Sequence, residues 1–296
     1  PPVTPEQVTV TPEPEEPTVT FELVGDFDYS FLMSPKYSDP GFVAKLNDGT
    51  DLSEFVSCES NVISYVAGEY PVCYRLKYNS EEKTLFRKVT VYAGEFPQTS
   101  APDVKAIYLT FDDGPSAYTQ RLLDTLDRYN AKATFFVTNQ DSDYLYLIGE
   151  AYRRGHAIGI HTSSHKYKTI YSSEQAFFED FAAMQEIVYS QTGEYTKLYR
   201  FPGGSSNTVS RFNPGIMTRL ALTLQCMGYQ YFDWNVDSKD AGGANNSSSV
   251  YYNVTGAVPH QEHPVVLQHD IKGYSVSAVE DILKWGTDNG YVFLPL

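Results

Sequence analysis

Apolar segments of strand length alternate with segments of helical periodicity from residue 106 to the end of the chain. The longest segment with helical spacing of apolar residues is 172–191, and Ser172 and Gln175 stand at its start in the register of a capping box. Strands joined through helices run parallel, so this order predicts an α/β fold with helices outside a parallel sheet, either closed as a barrel or doubly wound. The strand-like segments are 106–111, 133–137, 156–160, 198–201, 229–234, 264–269 and 291–294, and the helical ones are 118–130, 144–154, 172–191, 214–227 and 275–287.

Polar residues that could carry chemistry follow the predicted strands. At or just beyond the carboxyl ends of these strands stand Asp112, Asp113, His161, Arg200, Asp240 and His269. Catalytic groups of parallel barrels collect at this rim. The distribution therefore favours a barrel with its site at the carboxyl edge of the sheet.

The chain before residue 103 has a different character. Residues 1–20 are rich in Pro, Glu and Thr and predict an extended linker, while 95–102 form a connector. Between them, residues 21–94 hold short β-branched and aromatic runs separated by turn residues, which predicts a small all-β sandwich. The stretches KYSDPGF, DGTDLSEFV, GEYPVCYRL and RKVTVY resemble bacterial immunoglobulin-like modules, which act as spacers on secreted proteins.

Charge and cysteine content narrow the partners and the chemistry. A formal net charge of −15 repels phosphates, so nucleic acid and anionic membrane surfaces are not expected partners. No apolar run is long enough to span a bilayer. Cys58 and Cys73 lie in the same strand-rich segment, and the sequence is equally compatible with a disulfide between them and with two free thiols. Cys226 is expected to be a buried apolar group in a helix.

Two motifs suggest a metal site. Asp112 and Asp113 are followed by Gly-Pro, which ends the strand and lets neighbouring carboxylates converge, although such a pair also commonly caps the next helix. His161 and His165 follow an apolar strand four residues apart, so both imidazoles can close on one metal. Two histidines and one carboxylate leave a coordination position open, as catalytic metal sites do.

Three further segments are ordinary when taken singly. Arg200 precedes Pro-Gly-Gly, whose glycines allow backbone N–H groups close to a ligand. Trp234 and Asp240 lie on an acidic segment after one strand, and His269 ends another. Their order along the chain and their common position at the rim indicate one site.

These motifs together resemble those of the polysaccharide deacetylases, the NodB-homology domains of carbohydrate esterase family 4. The matching segments are Thr110-Phe-Asp-Asp-Gly-Pro115, His161-x-x-x-His165, Arg200-Phe-Pro-Gly203-Gly204, Trp234 with Asp240, and Leu267-x-His269, spread over residues 103–296. The resemblance implies a distorted (β/α) barrel with about seven parallel strands.

The resemblance also implies a role for each motif residue. Asp113, His161 and His165 would hold a divalent metal, and Asp112 would be the general base. Zn2+ suits this ligand set best, with Co2+, Ni2+ and Mn2+ as alternatives. Arg200 would orient the base, and the backbone N–H of Gly203 would donate to the oxyanion. His269 would be the general acid, with Asp240 as its partner. Leu267 and Trp234 would line the acetyl pocket and the sugar face.

Two positions depart from the family pattern. Gly203 and Ala241 stand where the family often has Tyr and Trp, so both changes open the site. Residues 241–249, AGGANNSSS, have the composition of a flexible loop.

The expected function is removal of acetyl groups from an N-acetylated polysaccharide, most of all from peptidoglycan or another N-acetylglucosamine glycan. An O-acetyl xylan esterase with the same residues is the first alternative, and a catalytically silent carbohydrate-binding domain is the second. The linker, the spacer-like segment and the family indicate an extracellular or cell-surface bacterial protein, expected to be monomeric.

Overall fold

The structure is a computed structural model that describes residues 16–96 and 102–296. The described residues divide into two compact units. The first contains residues up to 31 together with 37–63 and 67–92, and the second contains 32–36, 64–66 and the rest of the chain from 93 onwards. Most of the predicted linker (1–15) and part of the predicted connector (97–101) lie outside the described residues.

The first unit is built of strands and turns, with one turn of 3-10 helix at Ser53–Phe55. Its strands are β1 (Val19–Leu23), β2 (Asp28–Leu32), β3 (Phe42–Leu46), β4 (Val56–Ser60), β5 (Gly68–Tyr78) and β6 (Glu81–Tyr92). They form a two-stranded sheet, β1-β3, and a four-stranded sheet in the order β2-β6-β5-β4. The first strand begins inside the segment predicted as a linker, because Val19 and Phe21 pack against a small buried cluster around Leu46 and Leu76.

All three cysteines are free. Cys58 pairs with Tyr74 across β4 and β5, whereas Cys73 pairs with Glu59. Cross-strand partners share one face of a sheet and successive residues alternate, so the two thiols belong to opposite faces and the disulfide alternative is wrong. Cys226 lies at the end of a helix, as predicted, but it is half-buried rather than fully buried.

The second unit alternates strands and helices. Its strands are β7 (Ala106–Asp112), β8 (Thr134–Val137), β9 (Ala157–Ile160), β10 (Leu198–Tyr199), β11 (Gln230–Tyr231), β12 (Val236–Asp237), β13 (Val265–His269) and β14 (Val292–Phe293). Its helices are α1 (Thr119–Arg128), α2 (Tyr146–Arg153), α3 (Tyr167–Ile170), α4 (Glu174–Thr192), α5 (Ile216–Cys226), α6 (Ser247–Ala257) and α7 (Gly273–Asp288).

The strands of this unit form one parallel sheet. Its order is β11-β10-β9-β8-β7-β13-β12, and β14 pairs with the first residues of β7. The predicted parallel α/β sheet is therefore confirmed, but the sheet is a curled half-barrel with β11 and β12 at its two ends. Only Gln230–Tyr231 of the strand predicted over 229–234 is a strand (β11). The strand β12 at Val236–Asp237 lies beyond the predicted range and raises the number of strands in this sheet to eight.

The five predicted helices begin one or two residues away from their starts in the structure, and two side-chain caps were not predicted. The cap of α4 is Ser173, not Ser172, because the Ser173 backbone is extended and its side chain accepts a hydrogen bond from the N–H of Ala176. Residues 247–249, predicted as loop, begin α6, which Asn246 caps by accepting from the N–H of Ser249. Within residues 16–96 and 102–296, no helix combines the length and apolar character needed to cross a membrane.

Candidate active site

The two neighbouring aspartates converge because the chain turns between them. Asp112 ends the fully buried strand β7, and Asp113 has a φ of 72°, in the left-handed region. Thr138 fixes this turn: its Oγ1 donates to the Asp113 carbonyl at 2.7 Å, and its N–H donates to the Gly114 carbonyl at 2.8 Å. As a result, each aspartate places a carboxylate oxygen 3.7 Å from Nε2 of His161.

The two histidines lie on a tight turn after β9. His161 follows the strand directly and His165 has a φ of 53°, so this turn also contains a left-handed residue. Asp180 of α4 holds the turn by accepting from the backbone N–H of Ser163 at 2.6 Å and of Ser164 at 3.1 Å. The two imidazole rings end with their centroids 5.0 Å apart.

Asp113, His161 and His165 form a group whose ligand atoms all lie within 4.8 Å of one another. Oδ1 of Asp113 is 3.3 Å from Nε2 of His165, and it is buried with no hydrogen-bond partner in the described part of the chain. Nδ1 of His161 lies 2.8 Å from the Arg200 carbonyl, which can only accept, so the proton is on Nδ1 and the Nε2 lone pair points into the group. Burial lowers the pKa of His161 and favours this neutral form. The three residues therefore fit a divalent metal.

Arg200 holds the other aspartate. Its side chain is fully buried and donates to Oδ1 of Asp112 at 2.9 Å and to Oγ1 of Thr110. It also donates to the carbonyls of Phe232 at 2.9 Å and Asp233 at 3.2 Å. These hydrogen bonds fix the orientation of the guanidinium. Its charge balances that of the Asp112 carboxylate, which is only 2% exposed.

His269 and Asp240 form a second, buried ion pair. Nδ1 of His269 lies 2.7 Å from Oδ1 of Asp240, and the His269 N–H donates to Oδ2 of the same carboxylate at 2.7 Å. Burial alone lowers the pKa of His269, but the hydrogen bond and charge of Asp240 outweigh it and raise that pKa to about 9. Burial raises and the bond to His269 lowers the pKa of Asp240, with a net decrease. His269 is therefore protonated at neutral pH.

The two pairs face each other across the group of three ligands. Nε2 of His269 lies 4.0 Å from Oδ2 of Asp113. Leu267 stands two residues before His269 on β13, so both side chains are on one face of the strand, and Leu267 is buried. Trp234 is half-buried, and its ring centroid is 5.7 Å from the Arg200 guanidinium carbon. The structure thus brings together the predicted metal, base and acid residues, with Leu267 and Trp234 beside them.

Gly203 and Gly204 lie on the turn after Arg200. Their φ angles of 78° and 85° are in the left-handed region, which favours glycine. A Cβ on Gly204 would be 3.2 Å from the ring of Trp234, so this glycine also allows close packing. Gly203 is exposed and presents its backbone without a side chain, and Ala241 is likewise exposed. A Cβ on Gly203 would be 3.2 Å from Cβ of Asn207, so a larger residue there would require a small adjustment of this turn.

Sequence reasoning missed the residues that support these turns. Thr138, Asp180 and Asp270 contact the loops of the site, and none was singled out from its motif. Asp180 did carry a signal, because its carboxylate interrupts the apolar face of the helix between Phe177 and Met184. An acidic side chain on a buried helix face needs a partner, here the N–H groups of the histidine turn.

Comparison with known proteins gives a consistent family. The family model described as Polysaccharide deacetylase matches residues 99–213. A peptidoglycan-N-acetylglucosamine deacetylase of Bacillus cereus is 34% identical over 199 residues, which cover 64% of this chain and 68% of that protein. A peptidoglycan-N-acetylmuramic acid deacetylase of Bacillus subtilis is 31% identical, covering 66% of this chain but 38% of its own length.

Among solved structures, this chain is similar to the catalytic domain of a peptidoglycan N-acetylglucosamine deacetylase from Eubacterium rectale. The sequences are 53% identical, the match covers 69% of this chain and 92% of that chain, and the TM-score is 0.66.

Proposed function

Because the chain belongs to the polysaccharide deacetylases of carbohydrate esterase family 4, we propose that it is a metal-dependent hydrolase that removes acetyl groups from an N-acetylated polysaccharide. The proposed substrate class is peptidoglycan or another glycan that contains N-acetylglucosamine. The observation that supports this most is the convergence of Asp113, His161 and His165 between the Arg200–Asp112 and His269–Asp240 pairs.

Asp113, His161 and His165 would hold the metal, with Zn2+ as the first choice for two imidazoles and one carboxylate. A divalent metal in this position polarises the acetyl carbonyl and lowers the pKa of water. The neutral tautomer of His161, fixed by the Arg200 carbonyl, matches what a metal ligand requires.

Asp112 acts as the general base. One of its oxygens is 3.7 Å from His161, and the other accepts from Arg200, so the free oxygen faces the site. It takes a proton from the water that attacks the acetyl carbon. The backbone N–H of Gly203, on the exposed turn after Arg200, would donate to the oxyanion that forms.

His269 acts as the general acid. Its Nδ1 is committed to Asp240, and this pairing raises the pKa of the imidazole to about 9, so Nε2 carries a proton on the side that faces Asp113. It gives this proton to the sugar nitrogen as the carbon–nitrogen bond breaks, leaving acetate and a free amine. Leu267 and Trp234 would line the acetyl pocket and the sugar face.

The alternatives use the same residues. An O-acetyl esterase depends less on a general acid, because an alcohol is a better leaving group than an amine. The two hydrogen bonds between His269 and Asp240 therefore favour an amide substrate. A silent binding domain would have no need for the metal ligands, the base and the acid together.

For the rest of the chain, we propose that residues 21–94 form an immunoglobulin-like spacer and 103–296 the catalytic domain. The two sheets of the first unit, which has no α-helix among its described residues, support the spacer. A Pro- and Glu-rich segment before it agrees with an extracellular or cell-surface location, and we propose a monomer.

Acetate release tests the proposal. Zn2+-loaded protein is incubated with N-acetylglucosamine oligomers, peptidoglycan and acetylated xylan, with chelated protein in parallel. We expect acetate from the N-acetylated substrates, its loss on chelation, and its loss in His161→Ala but not in His260→Ala, a matched change outside the site. Acetate from xylan alone would replace the amidase with the esterase, and full activity of metal-free His161→Ala would refute the metal site.

A further inference from the structure

Asp270 is a buried carboxyl that the proposed reaction does not use. It follows His269 directly, is fully buried, and its Oδ1 has no hydrogen-bond partner among the residues that the structure describes. Burial raises its pKa to about 7. A side chain that is expensive to bury and takes no part in the chemistry requires another explanation.

The carboxyl of Asp270 lies against the turn that carries the aspartates. A Cβ on Gly114 would be 2.1 Å from Oδ1 and 2.2 Å from Oδ2 of Asp270. Gly114 does not have a positive φ, so the requirement for glycine here is space rather than backbone conformation. The carboxyl therefore occupies the place where any other residue at 114 would begin its side chain.

Hydrogen bonds attach the same turn to Asp270. Oγ1 of Thr119 donates to Oδ2 of Asp270 and accepts from the N–H of Ser116 at 2.8 Å. Oγ of Ser116 donates to the Asp270 carbonyl at 2.7 Å. The segment after Asp113 is thus joined by two hydrogen bonds to Asp270, the residue after His269.

We propose that Asp270 is a positioning residue that fixes the turn of Asp112 and Asp113 relative to His269. Asp113 keeps its left-handed backbone only where its surroundings hold it. Asp270 supplies part of that support, and it directly follows the strand that ends in the proposed acid, His269. The contact between Asp270 and the turn at Gly114 therefore sets the distance between the two aspartates and His269. This inference rests on the proposed function of the same site.

The test compares Zn2+ affinity, measured by competition with a chromophoric chelator, with kcat and KM. In Asp270→Ala we expect the Zn2+ dissociation constant to rise about 10- to 100-fold, as for other outer-shell partners of metal ligands, and kcat to fall while KM changes little. Asp270→Asn keeps the shape and the acceptor for Thr119, so it should restore most of both. Thr119→Val should act in the same direction, whereas Thr125→Val, which removes an ordinary bond within α1, should not.

A double-mutant cycle makes the contact specific. Gly114→Ala should weaken Zn2+ binding in the wild-type background and much less in Asp270→Ala, because the space is then empty. Unchanged Zn2+ affinity and kcat in a folded Asp270→Ala protein with lower stability would overturn the proposal, as would additive effects in the cycle. If Asp270→Ala does not fold, unchanged Zn2+ affinity in Thr119→Val overturns it. If the wild type binds Zn2+ but releases no acetate, the proposed function fails while the affinity comparison still tests Asp270.

Discussion

Replacing Asp240 by Asn keeps the shape of the residue and removes its charge. The pKa of His269 lies at about 9 against an ordinary 6.5. Burial alone would lower it, and the hydrogen bond and charge of Asp240 are the largest causes of the increase, with further contributions from the charges of Asp112 and Asp113. A difference of that size corresponds to about 3 kcal/mol. At pH 7.5 the protonated fraction of His269 should fall from about 97% towards about 10%, the fraction for an ordinary pKa of 6.5.

The assay is an NMR titration of the His269 imidazole in metal-free protein, followed by the pH profile of kcat/KM in Zn2+-loaded protein. We expect the pKa and the high-pH limb of the profile to move down by about two units or more. Asp237→Asn, an exposed change on the neighbouring strand, should leave both in place. A His269 pKa that stays above about 8 in Asp240→Asn would refute this account of the acid.

The same pair predicts how stability depends on pH. A raised pKa means that the folded protein holds a proton that the unfolded chain releases at lower pH. The contribution of the pair is therefore complete below pH 6.5 and is lost as pH rises through about 9. Chemical denaturation of the metal-free protein at pH 6 and pH 9.5 should show this loss in the wild type and not in Asp240→Asn.

Three further predictions concern the supports of the site and a histidine remote from it. Asp180→Ala removes the acceptor for two N–H groups of the histidine turn, so the Zn2+ dissociation constant should rise about 10- to 100-fold in a competition titration, and an unchanged value would contradict that role. Arg200→Ala leaves a buried carboxylate unpaired and should lower the free energy of unfolding in urea by about 3–5 kcal/mol, against almost no change for the exposed Arg211→Ala. Burial and then the charge of Lys132 lower the pKa of His156 to about 4, so stability should fall as pH drops from 6.5 towards 4; at pH 4.5 the loss from this group is about 2.5 kcal/mol. His156→Asn should be less sensitive to acid than the wild type in urea unfolding, and equal sensitivity would refute the assignment.

The central strands and the residues that follow them could be predicted from sequence. β7 and β13 are buried on both faces and give continuous apolar runs, so their ends, and hence Asp112 and His269, could be located. The five motifs then indicated which side chains should meet. The structure brings these side chains together, while their roles in catalysis stay predictions.

Other features depend on contacts that local patterns do not encode. The first three residues of α6 were predicted as loop because they are Ser, which favours turns until a cap such as Asn246 fixes the first turn. The partners of Asp180 and Asp270 lie on segments distant in sequence, and only the fold shows them. Whether the two cysteines of the first unit could bond depended on strand register, which spacing alone does not give.

The position of β7 in the sheet has a consequence for how the protein is made. β7 carries the first aspartates, yet its neighbour β13 is synthesised much later, and the bond from Thr110 to the Val266 carbonyl joins residues 156 positions apart. During synthesis on a ribosome, the edge of β7 that pairs with β13 therefore stays unpaired until nearly the whole second unit has emerged. We therefore expect nascent chains that end before residue 265 to be sensitive to proteases and dependent on chaperones.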